Sequence, residues 1–530
     1  MNHFDSLSVI RRSFMEEKKP RINKDTLFIF QCAIGWGVIA HGMALFNKYC
    51  FHDDSEAFNG IGVTYNSGRW MLGLMGEWFT KLVGSRHYSL PIVNGMITIF
   101  CLAVILFLIF DMLELHDRAM ICFVSGIVVS FPTIAAVMGY MFTAPYYYFG
   151  LLLGIAGLYL HHRYHNVFSF AGAMLLIACA MGTYQANLPF IVCVVLLLLI
   201  HKIYTSDGRW LVFFAESFKS LLLLAASCFS YFLLNNMFLK LKNTTLWGYM
   251  GISTFGMTDP SGYLSRIVFA IKEFLNPVEN TRRNMYPFNA KYLHIALIVM
   301  FTVLTLILFI QIFKTNRKKS FQILLLISVF PLAAYLILVM VDTAETNVHG
   351  LMTFGYVCTF LLAGWIYENF KAAKGILLLL KKTALVMVAL MVFMNIRFDN
   401  MCYIKANMLQ SHAISYYTTL ITKIKSVDGY KNELPIVYIN DTNKRDIPFA
   451  GTTKHFDVIT LVPYHMFMLI NDYSWESDMK YWCGFYRPEI ISPEPYEQME
   501  VVRNMPNYPD DGSIQIVDGV IIVKFNDITD

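Results

Sequence analysis

The segment His52-Asp53-Asp54-Ser55-Glu56 puts three carboxylates and an imidazole within five residues, just past an apolar run at 26–46. Charge beside a membrane-length apolar run is costly, so such a cluster needs water, a partner or a task. Two chemistries are open to it. One carboxylate could act as a general base toward a hydroxyl nucleophile. Alternatively, Asp53, Asp54 and Glu56 could together ligate a divalent cation. A solvated loop whose acids only help topology is the bland reading of the same residues. Which applies depends on the elements that hold the segment.

The chain of 530 residues is 56% hydrophobic and 15% charged, against about 25% charged in soluble domains. A surface that largely faces lipid accounts for the deficit. The first 25 residues are polar and no secretory signal is expected, because the first apolar run is long enough to remain as a span. Most cysteines lie in apolar runs, where the thiol behaves as a small hydrophobe. Cys402 and Cys483 fall in the polar C-terminal region and could be either bridged or free.

Apolar runs at 26–46, 91–110, 119–138, 146–160, 167–182, 188–203, 211–236, 292–313, 321–341, 351–368 and 383–397 predict a mainly α, polytopic membrane protein with about eleven spans. Arg11, Arg12, Lys18, Lys19, Arg21 and Lys24 precede the first span and place the N-terminus in the cytoplasm. Alternation then puts Arg118, the His161-His162-Arg163 turn, Lys202, Arg209, Lys314, Arg317, Lys318 and Lys319 on the cytoplasmic side. The acid cluster and the C-terminus come out on the other. Positions 71, 74, 75, 78, 79 and 82 share one apolar helical face and predict an interfacial helix.

Three divisions follow: a cytoplasmic segment 1–25, a transmembrane domain 26–397, and a small extracytoplasmic α/β domain 398–530. In the last, 403–425 reads as an amphipathic helix, and 434–439 and 457–462 read as strands. Ile514–Val517 and Val520–Val523 around Asp518-Gly519 read as a hairpin. The outer stretch 237–291 breaks the charge rule with Arg266, Lys272, Arg282 and Arg283 among its basic residues. An anionic lipid headgroup would explain them, although long translocated loops are also indifferent to charge.

No phosphate-cradling glycine loop, GxSxG elbow or HExxH occurs, so the chemistry faces outward, where a donor must arrive through the membrane. Acids in the first outer loop followed by an interfacial helix resemble the layout of the GT-C glycosyltransferase superfamily. Within it the chain resembles the Gtr-type, serotype-converting glucosyltransferases of bacterial surface polysaccharide. The resemblance rests on His52-Asp53-Asp54-Ser55-Glu56, on Asn66-Ser67-Gly68-Arg69-Trp70, and on Gly182-Thr183-Tyr184-Gln185-Ala186-Asn187. It covers roughly residues 25–400.

The resemblance implies a GT-C-like bundle in the bacterial plasma membrane and an inverting transfer. Glucose would pass from undecaprenyl phosphate, or another polyprenyl phosphate, to a surface glycan or its lipid-linked precursor. Asp53 or Asp54 would be the base, with Glu56 beside them. Arg69 with Arg266, Lys272, Arg282 and Arg283 would hold the departing phosphate. His52, Tyr184, Gln185, Asn187 and His349 are the remaining candidates for donor or sugar contacts, and Asp342 and Glu345 flank His349. Tyr140, Tyr146, Tyr147, Tyr148 and Tyr184 read as interfacial belt residues ahead of sugar platforms. The expected partners are the lipid donor, the glycan acceptor and the bilayer, with no nucleic acid. No cofactor is required, and a divalent cation at Asp53, Asp54 and Glu56 is the optional one. A flippase for a lipid-linked sugar and a polysaccharide polymerase are the competing functions.

Overall fold

The computed structural model describes residues 24–49, 54, 62, 64–84, 89–248, 262–275, 290–341, 352–372, 374–440, 475–486 and 489–528. His52, Asp53, Glu56, Arg282, Arg283, Asp342, Glu345, His349 and the 457–462 strand lie outside them.

The chain is mainly helical. Helix α1 (Lys24–Phe46) is followed by a 3-10 turn at Tyr65–Ser67 and by α2 (Trp70–Val83), α3 (Pro91–Met112), α4 (Arg118–Val129) and α5 (Pro132–Met138). Then come α6 (Ala144–Tyr164), α7 (Val167–Thr183), α8 (Asn187–Thr205), α9 (Trp210–Leu241) and α10 (Tyr263–Leu275). The bundle closes with α11 (Lys291–Thr315), α12 (Arg317–Ala334), α13 (Leu336–Met340), α14 (Cys358–Asn369) and α15 (Gly375–Lys425).

Six of these helices are long and apolar enough to cross a membrane, and the pair α4–α5, bent by 41°, makes a seventh if counted as one span. That is fewer than the eleven expected. The differences have local causes. Pro132 has no N–H to donate to the preceding turn, so the expected 119–138 span breaks at Phe131 and restarts with proline at its first position. Pro331 sits near the end of α12, which stops at Ala334. The expected 351–368 span is a 3-10 turn, Phe354–Val357, leading into the 12-residue α14. The expected helices at 383–397 and 403–425 are one helix of 51 residues.

Helices α3 and α8 are the central ones, with 56% and 61% of their apolar windows buried, whereas α9, α11 and α15 have 17%, 22% and 22%. The peripheral helices turn side chains such as Leu211, Phe218, Phe229, Leu306 and Phe393 outward, as a lipid-facing surface requires. Helices α6 and α7 lie close because Gly150, Gly154 and Gly157 on α6 face Thr183, Ala180 and Ala173. Such small-residue contacts hold helices together in lipid, where burial alone gives no drive. Glu216 on α9 pairs with Lys202 at 2.6 Å and with Lys219, three residues on, at 2.9 Å.

Beyond the bundle, α15 carries the small C-terminal domain. Strands β1 (Ile436–Ile439), β2 (Ile514–Val517) and β3 (Val520–Lys524) form a sheet in the order β1-β3-β2. The β2–β3 pair is antiparallel, in the expected register around Asp518-Gly519, and β1 runs parallel to β3. Alternation along the strands splits the core. Ile436, Tyr438, Ile521 and Val523 pack on Tyr417, Leu420 and Ile424 of α15, while Val437, Ile439 and Ile522 pack on Val502 and Met505. Between β1 and β2 lies α16 (Trp475–Trp482), also docked on α15. Cys402 and Cys483 are both free, Cys402 buried on α15 and Cys483 half-buried beside Ile414.

Candidate active site

Asp54 anchors the acid loop to the bundle. It is 1% exposed and its two carboxylate oxygens are separately engaged. Oδ2 forms an ion pair with the ammonium of Lys48, two residues past the end of α1. Oδ1 accepts from the Ser89 hydroxyl at 2.8 Å and from the Phe142 N–H at 3.4 Å. Lys48 also donates to Ser89 Oγ at 2.8 Å and to the Asp54 carbonyl at 3.2 Å. Burial pushes the Asp54 carboxyl above its usual range, against the Lys48 ammonium and the Ser89 and Phe142 donors, which pull it down.

A cation already sits against Asp54, so it does not fit as a metal ligand in this arrangement. No group of three or more His, Cys, Asp or Glu placed to hold a metal occurs among the described residues.

Phe142 belongs to the turn before α6, and Asn94 of α3 fixes that turn by donating to the Met141 carbonyl at 3.0 Å. Five residues after Phe142, Tyr147 accepts from Arg69 Nη1 at 3.1 Å. Tyr147 and Tyr184 stack with ring centroids 4.5 Å apart and 12° between planes, and the Arg69 guanidinium lies 5.1 Å from the Tyr184 centroid. Such rings hold a guanidinium while leaving its charge available to an anion. Tyr140, Tyr147, Tyr148 and Tyr184 are all buried. They build this end of the bundle instead of forming an interfacial belt.

The motifs Asn66–Trp70 and Gly182–Asn187 meet. Gln185 donates through Nε2 to the Ser67 carbonyl at 2.8 Å and to the Tyr231 hydroxyl at 3.0 Å, and Tyr231 donates to the Gly68 carbonyl at 3.2 Å. Gly68 has φ +72°, and a Cβ there would lie 2.7 Å from both Gln185 Nε2 and the Tyr231 hydroxyl. Trp70 stacks on Phe238 at 5.2 Å, and its other neighbour is Gly182, where a Cβ would come within 2.4 Å of the indole. Asn187 donates to the Ala180 carbonyl at 3.1 Å. Gln185 therefore braces the turn that aims Arg69, and Asn187 ties the start of α8 to the end of α7.

Helix α2 spans all the positions expected to share an apolar face, from 71 to 82. It buries Trp70, Leu72, Gly73 and Gly76 and leaves Trp78 and Leu82 exposed, as an interfacial helix would. It is pinned to the end of α9 through Glu77, which accepts from Tyr65 at 2.8 Å and from Lys242 at 2.6 Å. The Lys242 ammonium holds the Glu77 carboxyl below its usual range.

Helix α10 carries Arg266, buried over the Tyr263 ring at 4.7 Å and donating to the Gly262 carbonyl, and Lys272, which is exposed. It packs on α12 and α13. The described contacts of Asp54, Arg69, Tyr184, Gln185 and Asn187 do not draw Lys272 to them.

Several functional-site residues escape sequence reasoning. Lys48 and Ser89 carry no motif, being one lysine after a helix and one serine 35 residues beyond Asp54. His41 bridges α1, α4 and α15. A carbonyl can only accept, so His41 Nε2 donates to Val129 O at 2.7 Å and Nδ1 accepts from the Tyr403 hydroxyl at 2.8 Å. One turn before Tyr403, Asp399 is fully buried, as is Asn395 a further turn back. None of their four side-chain polar atoms has a hydrogen-bond partner among the described residues. Their signal in the sequence was two polar residues four apart, on one face at the end of an apolar run.

A search of curated proteins returns no match to the chain. The family described as glucosyl transferase GtrII matches residues 42–360. That span is more than half of the 530 residues and runs from α1 past the 3-10 turn at Phe354. It takes in the acid loop, the Arg69 turn and the Gly182–Asn187 junction, and the chain belongs to the glucosyl transferase GtrII family.

Proposed function

We propose that this glucosyltransferase-family protein takes glucose from a polyprenyl phosphate, undecaprenyl phosphate in a bacterial plasma membrane. The acceptor is a surface glycan or its lipid-linked precursor on the extracytoplasmic face. The observation that carries the reading is the pairing of two sites at one end of the bundle. The anchored acid loop and the Arg69 guanidinium are joined through residues 142–147, which bond Asp54 at one end and Arg69 at the other. A carboxylate takes the acceptor proton, and a cation receives the departing phosphate, which needs no general acid.

In this reading Asp53 is the base, because both oxygens of Asp54 are committed to the anchor. One direct displacement with one base inverts the anomeric centre. Arg69 is the cation that receives the departing phosphate. Arg266, Lys272, Arg282 and Arg283 serve the headgroup of the incoming lipid, and His52, Glu56, Tyr184 and His349 shape the sugar site. The absence of a nucleotide-binding motif fits a donor delivered within the membrane.

A second reading, a flippase for a lipid-linked sugar, draws on the broken pair α4–α5 and the buried Asp399, both of which suit a path through the bilayer. Sealed membrane vesicles of known orientation, loaded with labelled polyprenyl-phosphate glucose, separate the two. Transfer predicts covalently glucosylated acceptor on the face that was outside the cell, with the labelled donor consumed. Donor that crosses leaflets intact, with no product formed, would sink the transferase reading.

A further inference from the structure

We infer that the C-terminal domain supplies a glycan-binding pair, Asp478 and Trp482 on α16, to the acceptor side of the transfer site. The inference rests on the transferase reading above.

The two residues are four apart, so they share one face of α16. Both are half-buried. Asp478 Oδ1 and Trp482 Nε1 are enclosed, yet neither has a hydrogen-bond partner among the described residues. A native fold rarely leaves polar side-chain atoms enclosed and unused. A carboxylate oxygen that accepts, beside an indole that donates and offers a flat ring, matches a pyranose: its hydroxyls bond to the polar atoms and its C–H face lies on the ring.

Helix α16 is firmly seated. Met479 and Phe485 are buried against Tyr417, Ile421 and Ile424 of α15, and Cys483 Sγ lies 4.0 Å from the Ile414 carbonyl. Tyr49, which follows α1, stacks on Tyr403 of the same helix at 6.3 Å. The two halves meet at Lys48. The ammonium that anchors Asp54 also acts electrostatically on Asp478. Both carboxylates thus lie within the field of one cation.

Lys48, Tyr417 and Cys483 are the ionisable groups facing Asp478 from the acid loop, from α15 and from the end of its own helix. Burial pushes the Asp478 carboxyl up to about 7, with the Lys48 ammonium opposing. Its ionised form, the stronger acceptor, therefore predominates only above that pH.

The test uses the full-length protein in detergent with polyprenyl-phosphate glucose and lipid-linked oligosaccharides extracted from the producing organism's membranes. D478N is expected to raise the apparent acceptor KM at least about tenfold, the value of one charged hydrogen bond, with donor KM within twofold of wild type. W482A should do the same, and W482F should fall between. Wild-type acceptor KM should rise as pH falls from 8 to 6, and that slope should vanish in D478N. D478E, which keeps the charge, should recover most of the affinity. If D478N is not recovered folded, W482A and W482F carry the same comparison. Turnover by the wild type with acceptor KM unchanged in D478N, or in the tryptophan variants standing in for it, overturns this inference and leaves the transferase reading in place. No turnover by the wild type overturns both.

Discussion

Asp53→Asn is expected to abolish glucosyl transfer, with a fall of about 10²- to 10⁴-fold in initial rate, the usual worth of a positioned general base. Donor binding should stay within about twofold, since the amide keeps the shape of the carboxylate and loses only its proton affinity. The assignment follows from its neighbour. Asp54 spends one oxygen on Lys48 and the other on Ser89 and Phe142, and adjacent residues project in different directions. In the proposed assignment Asp54 holds the loop and Asp53 is the base. Initial rates with labelled polyprenyl-phosphate glucose, and donor binding measured separately, check this. Wild-type turnover by Asp53→Asn, alongside a folded but inactive Asp54→Asn, would reverse the two roles.

Breaking the Asp54–Lys48 pair should produce the largest loss of stability. Removing one member of a buried ion pair strands the other charge, at a cost of about 3–5 kcal/mol. Lys48→Met should therefore lower the thermal midpoint in detergent markedly, because it strands the buried Asp54, and Asp54→Leu should do so to a lesser degree, since the Lys48 it strands is partly exposed. The double variant Asp54→Leu/Lys48→Met should recover much of the loss, because it strands neither charge. If the double variant is as unstable as the sum of the singles, the pair is not the anchor described here.

Much of the site was legible because its residues are local. The acids cluster in sequence, the Asn66–Trp70 and Gly182–Asn187 motifs are each continuous, and the hairpin turns on Asp518-Gly519. The partners that make these segments one site were not legible. Lys48 and Ser89 acquire meaning only when the chain folds them onto Asp54. The tyrosines looked like a membrane belt because composition records their type and not the ring contact that Tyr147 and Tyr184 make.

Element boundaries depart from the expected ones where hydropathy and helix continuity diverge. Asn395 and Asp399 lower the apolar average and end the expected span at 397, yet no proline or glycine follows Gly375 before Lys425, and the helix continues. The reverse holds at Pro132, where a uniformly apolar run hides a break. Helix-breaking residues, read alongside hydropathy, would have found both.

The central claim is tested most directly by donor choice. Purified protein is given synthetic polyprenyl-phosphate [14C]glucose and lipid-linked oligosaccharides, and in a parallel reaction UDP-[14C]glucose with the same acceptors. Label is predicted in the oligosaccharide fraction from the lipid donor alone, with inverted anomeric configuration. Label arriving only from the nucleotide sugar would contradict the account.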